Sequence, residues 1–197
     1  MAESIYQAPL VAVLEDLVEW FKASEVKGLA IGGVAASLLG RPRLTRDVGV
    51  VVLLDEGHWA NFLTVGAKHG FVPRRSDSLA FAQETRVLLV RHEPSGIDAD
   101  IIFGSLPFEK QAITRANWVE LGGVRIPLPW PEDLIIMKAV AHRQQDLADI
   151  EAVLDAHPKL NLMKVRRRVR EFSTALEMPE ILGDLEILLS RRRKRQR

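Results

Sequence analysis

Apolar residues recur with a helical period at the start of the chain and again in its last third. Between Leu10 and Phe21 they lie three or four positions apart, which is typical of one apolar helix face. The same period returns after Pro131 and predicts one long helix as far as residue 157. Two shorter helices are predicted after it, over 160–177 and 179–190.

Short apolar runs bounded by glycine, proline or polar residues predict strands in the middle of the chain. The predicted strands are 29–31, 47–54, 87–90, 97–103 and, at a sheet edge, 124–128, with helices at 34–39 and 56–68. This order predicts an α+β (α/β) fold, a small mixed β-sheet flanked by helices, with a C-terminal helical extension. We expect one domain over 1–157 and the extension over 158–197.

Composition narrows the possible classes of protein. Of the 197 residues, 47% are hydrophobic, which is enough for a packed core. The chain has no cysteine, which excludes disulfides, thiolate zinc sites and cysteine nucleophiles. No apolar run approaches the roughly 20 residues of a membrane span, and the N-terminus has no signal-peptide pattern. We therefore expect a cytoplasmic protein with no membrane partner.

The formal charge of +1 conceals an uneven distribution of charge. Residues 159–197 carry 12 Lys and Arg and five acids, so this segment is +7. The chain as a whole has 27 basic and 26 acidic residues, which leaves 15 and 21, or −6, for residues 1–158. An acidic body with a basic end indicates a polyanionic partner.

A glycine pair lies between a predicted strand and a predicted helix. Gly32 and Gly33 would let backbone N–H groups approach a phosphate closely at the positive end of that helix. A tight turn that requires glycine would explain the pair about as often. The acid that opens the next strand, Asp47, gives the phosphate interpretation more weight.

Two further acids lie on one face of the predicted strand 97–103. Asp98 and Asp100 are two positions apart, and acids are unfavourable in strands without a reason. One reason is a divalent cation such as Mg²⁺ that bridges to nucleotide phosphates. The other is a half-exposed strand with a polar outer face.

Taken together, three stretches resemble the minimal nucleotidyltransferase fold of the polymerase-beta-like superfamily. Within it they look most like the abortive-infection type-E toxin nucleotidyltransferases. The matching stretches are IGGVAASLLGRPRLTRDVGVVV, DADIIFGSLPFE and PLPWPEDLIIMKAVAHRQQDLADIEAVL, roughly residues 28–155.

The resemblance implies a role for each matching residue. Gly32 and Gly33 would hold phosphates, and Asp47 would bind the metal, Mg²⁺ or Mn²⁺. Asp100 would be the third carboxylate of the family, placed to help deprotonate an attacking hydroxyl. Lys138 would lie near the triphosphate of the NTP substrate. The polar pattern that follows it is matched by Arg143, Asp146 and Asp149.

One position departs from the family pattern. The family has a second acid two residues after the first, and this chain has Gly49 there. A two-metal mechanism needs a carboxylate that glycine does not offer. The chain could be naturally degenerate, Asp98 could supply the missing metal ligand, or an acid could have been replaced deliberately.

The helix from Pro131 and the basic end offer two more candidate surfaces. Lys138, His142, Asp146 and Asp149 share one side of the predicted helix, so we expect this side to face solvent or a cleft. Arginine clusters near the C-terminus, with Phe172 the one aromatic residue among them, favour binding a folded RNA such as tRNA by shape and charge. These clusters are Arg166, Arg167, Arg168, Arg191, Arg192 and Arg193.

Two hypotheses about function follow. The first is a toxin-type nucleotidyltransferase that moves a nucleotidyl group from an NTP to an RNA or protein hydroxyl. The second is a degenerate relative that binds nucleotide or RNA, or acts as an antitoxin-like regulator on a partner protein. Gly49 favours the second hypothesis, whereas Asp47, Asp100 and Lys138 favour the first.

Overall fold

The computed structural model describes residues 2–45 and 47–195, with side chains described from residue 8. Arg46, in the matching stretch, and Arg197, in the basic end, lie outside the described residues. The chain divides into two compact units, residues 1–34 with 44–129 and residues 35–43 with 130–197. The division expected after residue 157 stays a prediction.

The first unit contains a sheet and the helices packed on it. Its elements, with α2 beginning in this unit, are α1 (Ala2–Ala23), β1 (Lys27–Ile31), α2 (Gly32–Leu39), β2 (Asp47–Leu53), α3 (Trp59–Lys68), β3 (Phe71–Pro73), α4 (Ser78–Thr85), β4 (Val87–His92), β5 (Ile97–Phe103), α5 (Pro107–Thr114), β6 (Asn117–Leu121) and β7 (Val124–Leu128). The five-stranded sheet has the order β1-β2-β5-β4-β3, and β6 and β7 form a separate hairpin.

Buried and less buried residues alternate in the first half of β2 and along β5, which separates the two faces of this sheet. Strands β2 and β5 are parallel, while the other neighbours in the sheet are antiparallel. Val48 and Val50 of β2 and Ala99 and Ile101 of β5 are completely buried. The residues between them therefore point to the opposite face, where polar side chains are tolerated.

The second unit is helical in the part that the structure describes. Its helices are α6 (Pro131–Ala141), α7 (Gln144–Ala156), α8 (Leu162–Ala175) and α9 (Pro179–Arg195). The single long helix predicted from Pro131 is wrong, because His142 adopts a left-handed conformation with φ of 51°. This break separates α6 from α7 and changes the direction of the polar residues that follow it.

The predicted α+β class and the mixed sheet flanked by helices are confirmed. The predicted strands 87–90 and 97–103 are confirmed as well, and β4 and β5 pair antiparallel as a hairpin across Ser95-Gly96. The sequence patterns missed β3, α4, α5 and β6, which are short elements of three to eight residues. No helix of the described residues is long and apolar enough to cross a membrane.

Candidate functional site

Three carboxylates lie on the sheet face opposite the apolar core. Across the parallel ladder, Asp47 pairs with Asp98 and Gly49 pairs with Asp100. Because residues paired in register point to the same face, all four positions belong to one surface. We call these four residues, Asp47, Gly49, Asp98 and Asp100, the acidic face.

The glycine turn lies directly beside the acidic face. Gly32 has φ of +65°, a conformation that glycine adopts without strain, and it begins α2. A Cβ added to Gly32 would lie 4.0 Å from the Cα of Gly49. The N-terminal end of α2 and the strand position that lacks an acid are therefore neighbours.

Asp98 is held by two arginines. The Nε of Arg91 donates to its Oδ1 at 2.7 Å, and the Nη1 of Arg74 donates to its Oδ2 at 3.1 Å. The hydrogen bond from Arg91, together with the charge of Arg74, holds the pKa of Asp98 below its usual range despite some burial. Both oxygens are thus engaged, and the ladder places Asp98 beside Asp47 rather than Gly49.

Asp100 has a different environment. Burial raises its pKa, and the nearby charges of Asp47 and Asp98 add to this, while Arg74 opposes the increase. The Nη2 of Arg74 donates to its Oδ1, so this one guanidinium joins Asp98 and Asp100. A carboxylate with a raised pKa is better suited to accept a proton near neutral pH.

Few groups on the acidic face are available to bind a divalent cation. Among the described residues no cluster of three or more His, Asp or Glu could hold a metal ion. Asp47 and Asp100 are near enough for their charges to interact, and Mg²⁺ is commonly bound by one or two carboxylates together with substrate phosphates. These two carboxylates fit one cation that binds together with a nucleotide. They do not fit the second cation of a two-metal site, because Gly49 has no ligand atom.

Steric crowding does not explain glycine at position 49. A Cβ there would meet the Cγ1 of Ile31 at 3.5 Å, its carbonyl oxygen at 3.8 Å and the Cα of Gly32 at 4.0 Å. These are ordinary van der Waals distances, and the backbone of β2 is regular. The backbone at this position therefore has room for a Cβ, on the same face as Asp100.

Lys138 lies in the second unit and is buried. Its Nζ donates to Oδ1 of Asp146 at 2.7 Å and to Oδ2 of Asp149 at 2.8 Å. The expectation that this polar side of the helix faces solvent or a cleft is wrong, because the break at His142 folds α7 back against α6. The proposed contact of Lys138 with a triphosphate stays a prediction.

Two arginines complete the ion-pair network around Lys138. Arg43 donates to both oxygens of Asp149 at 3.0 Å, and the Nε of Arg143 donates to Oδ2 of Asp146 at 2.7 Å. Burial raises the pKa of each aspartate, but the hydrogen bonds from the arginines and Lys138 outweigh it, so both pKa values are lowered. The network stabilises the packing of α6 on α7.

The predicted RNA-binding arginines are divided between two environments in the second unit. Arg166 pairs with Glu186 at 2.8 Å, and Arg167 and Arg168 pair with Glu171 at 3.8 and 2.8 Å. Arg192 is buried and donates to the carbonyl of His157. Among the described residues of the second unit, five exposed basic side chains have no ion pair: Lys159, Arg170, Arg191, Arg193 and Lys194.

Sequence reasoning missed the arginines that contact the acids. Pairing of the predicted strands 87–90 and 97–103 as a hairpin would have indicated Arg91, because it lies opposite Asp98. Arg74 follows the three-residue strand β3, and its own neighbours in sequence carry no periodic signal. Arg43 contacts Asp149, more than 100 residues away, and no local pattern indicates such a pair.

Comparisons with known proteins identify the fold. No protein-family model matches the chain, and no curated protein matches its sequence. A nucleotidyltransferase-like antigenic protein from Paracoccidioides brasiliensis has 16% identity and a TM-score of 0.52, over 88% of this chain and 90% of that one. The antibiotic-resistance factor ANT(2'')-Ia has 13% identity and a TM-score of 0.59, over 88% and 96%. The lincosamide antibiotic adenylyltransferase LnuA, in its lincomycin-bound structure, has 15% identity and a TM-score of 0.50, over 72% and 94%. The chain therefore has the fold of nucleotidyltransferase-like proteins.

Proposed function

We propose that the first unit binds a nucleoside triphosphate at the acidic face, and that Gly49 disarms the transfer of its nucleotidyl group. The observation that carries this proposal is the arrangement around position 49. A Cβ added to Gly49 would lie 4.0 Å from the Cα of Gly32 in the glycine turn, and Asp100 is the partner of Gly49 in the ladder. The glycine turn, which suits a phosphate, and Asp100, which suits a cation, therefore both lie next to the position that lacks a carboxylate.

Each remaining group has a chemical task in this proposal. The backbone N–H groups of Gly32 and Gly33, at the start of α2, would donate hydrogen bonds to phosphate oxygens. Asp47 and Asp100 would hold one Mg²⁺ or Mn²⁺ ion, which neutralises phosphate charge when it is bound. In nucleotidyl transfer an acceptor hydroxyl bonds to the α-phosphorus, pyrophosphate leaves, and the hydroxyl proton goes to a base. Asp100 is the group best suited to take that proton.

The environment of Asp98 argues for loss of transfer activity. It does not replace the missing acid, because both its oxygens accept hydrogen bonds from arginines and it lies beside Asp47. A site with one cation ligand fewer would keep nucleotide affinity while losing most transfer activity. The native chain then acts as a nucleotide-binding protein, in line with a degenerate or antitoxin-like regulatory role.

The acceptor class is proposed from the second unit. The exposed side chains of Arg191, Arg193 and Lys194 favour a folded RNA such as tRNA, as the resemblance to toxin-type enzymes also does. A small-molecule hydroxyl is the second candidate acceptor, because ANT(2'')-Ia is described as an antibiotic-resistance factor and LnuA as an antibiotic adenylyltransferase.

Nucleotide binding is tested by calorimetric titration with ATP, GTP, CTP and UTP, in Mg²⁺, in Mn²⁺ and in EDTA. We expect at least one NTP to bind, more tightly with the cation. Asp47→Asn should remove the gain from the cation, while the exposed Asp55→Asn, which lies past the end of β2, should not. If no NTP binds under any of these conditions, the proposed function is wrong.

A further inference from the structure

The guanidinium of Arg74 joins two acids on the acidic face. Nη1 donates to Asp98 and Nη2 donates to Asp100. Arginine carries five N–H donors in a planar fork, and these two bonds use one donor each. Within the described residues, three donors of Arg74 therefore remain for another ligand.

The backbone places Arg74 in the same row of the sheet as Gly49. Its N–H donates to the carbonyl of Leu89 at 3.0 Å, continuing the β3–β4 ladder by one residue. Leu89 pairs with Asp100, and Asp100 pairs with Gly49. The side chain of Arg74 thus extends along this row to the carboxylate that lies beside the glycine.

Electrostatics require a positive group at this place if a triphosphate binds. Asp47, Asp98 and Asp100 contribute three negative charges, and Arg74 and Arg91 contribute two positive charges. The acidic face is therefore net negative before a ligand binds. A triphosphate adds several negative charges, and Gly49 removes a ligand for a second cation. Of the two arginines, Arg74 is the one that hydrogen-bonds to Asp100, the partner of Gly49, whereas Arg91 hydrogen-bonds to Asp98.

Exposure agrees with a binding role. The side chain of Arg74 is held by two acids, and it is 26% exposed, so a ligand in solvent can still contact it. An arginine fork fits a phosphate group with two parallel hydrogen bonds, whereas a lysine presents a single point of charge.

We propose that Arg74 is the phosphate-binding cation of this site and performs the neutralisation that a second divalent ion would perform if position 49 were acidic. The proposal rests on the proposed nucleotide site and names the charged group that recognises the triphosphate. It predicts that part of the nucleotide affinity is independent of divalent cations.

The test is titration of the best-binding NTP, in EDTA and in Mg²⁺, with three variants. Arg74→Gln should weaken binding in EDTA by at least about tenfold, and Arg74→Lys should recover only part of the loss. The matched control is Arg75→Gln, which removes the same charge from the next residue. Arg75 pairs with Asp77 through two bonds of 2.8 Å and contacts neither Asp98 nor Asp100.

Each outcome decides one question. Equal weakening by Arg74→Gln and Arg75→Gln would show a general charge effect and overturn the role of Arg74. Wild-type binding that vanishes completely in EDTA would overturn it too, while leaving the proposed nucleotide site intact. Absence of binding to every NTP, with and without Mg²⁺, would overturn both. Thermal melting of each variant separates lost binding from lost folding.

Discussion

At the scale of single residues, two acids two positions apart on β5 have opposite environments. Asp98 accepts hydrogen bonds from Arg91 and Arg74, so its charged form is favoured and its pKa is lowered. Asp100 is partly buried and lies among like charges, so its charged form is disfavoured and its pKa is raised. Ionisation of Asp98 is therefore favoured by folding, whereas ionisation of Asp100 is opposed by it.

We predict that Asp98→Asn lowers the urea midpoint of unfolding at pH 7, because it removes a charge that the folded state favours. Asp100→Asn should raise the midpoint or leave it unchanged, because it removes a charge that burial disfavours. The two variants differ by one strand position and carry the same chemical change. A midpoint lowered by Asp100→Asn as much as by Asp98→Asn would contradict the assignment.

The pH dependence of these variants has a definite sign. The folded-state pKa of Asp98 is lowered, so its stabilising effect is present above its unfolded-state pKa and disappears as the pH falls through the folded value. The folded-state pKa of Asp100 is raised, so its cost grows as the pH rises through the range between its unfolded and folded values. Unfolding midpoints measured from pH 3 to pH 7 should therefore converge with wild type in acid for both variants.

At the scale of elements, the buried network between α6 and α7 forms the polar core of the second unit. Lys138 is 4% exposed and contacts two acids that are themselves 0% and 4% exposed. Buried charges of this kind are tolerated only while every partner is present. The network is therefore expected to be sensitive to loss of any single member.

We predict that Lys138→Met destabilises the protein by about 3–5 kcal/mol, because Asp146 and Asp149 lose a buried partner. Lys68→Met, at an exposed position near the end of α3, should cost less than about 0.5 kcal/mol. Urea unfolding of both variants at pH 7 is the measurement. A small effect of Lys138→Met would show that Arg43 and Arg143 hold the aspartates without it.

Strand periodicity predicted the shared face of Asp98 and Asp100. It did not predict features that depend on contacts between residues far apart in the sequence. Alternation on β5 puts Asp98 and Asp100 on one side, and this placement follows from the sequence. The resemblance to nucleotidyltransferases implied that position 49 belongs to the same site. The left-handed conformation of His142 depends on the packing of α7 and leaves no local signal. Arg74 depends on the pairing of β3 with β4, which a three-residue strand does not reveal.

At the scale of the whole molecule, the uneven distribution of charge is partly compensated within the second unit. Arg166, Arg168 and Arg195 form ion pairs with acids of that unit, so the basic surface is smaller than the residue count indicates. Most of the charge that remains available to a polyanion is carried by three exposed side chains of α9, Arg191, Arg193 and Lys194.

We predict that a triple change of Arg191, Arg193 and Lys194 to Gln weakens binding to total tRNA. The slope of log affinity against log salt should fall by roughly 2–3 if these residues neutralise phosphates. The matched control replaces three exposed lysines of the first unit, Lys22, Lys68 and Lys110, with Gln. Equal slopes for the two triple variants would remove α9 from any RNA site.

Restoring an acid at position 49 tests whether Gly49 disarms a nucleotidyl-transfer site. Three proteins are compared: wild type, Gly49→Asp and the control Gly57→Asp, at a position where an added Cβ would meet nothing within 4 Å. Each is incubated with each α-labelled NTP, Mg²⁺ or Mn²⁺, and total tRNA or a small-molecule acceptor. We predict that Gly49→Asp transfers label at least about tenfold faster than the other two proteins, a change equivalent to ~1.4 kcal/mol in the barrier. Equal transfer by all three proteins, or none by Gly49→Asp despite NTP binding, would contradict the claim.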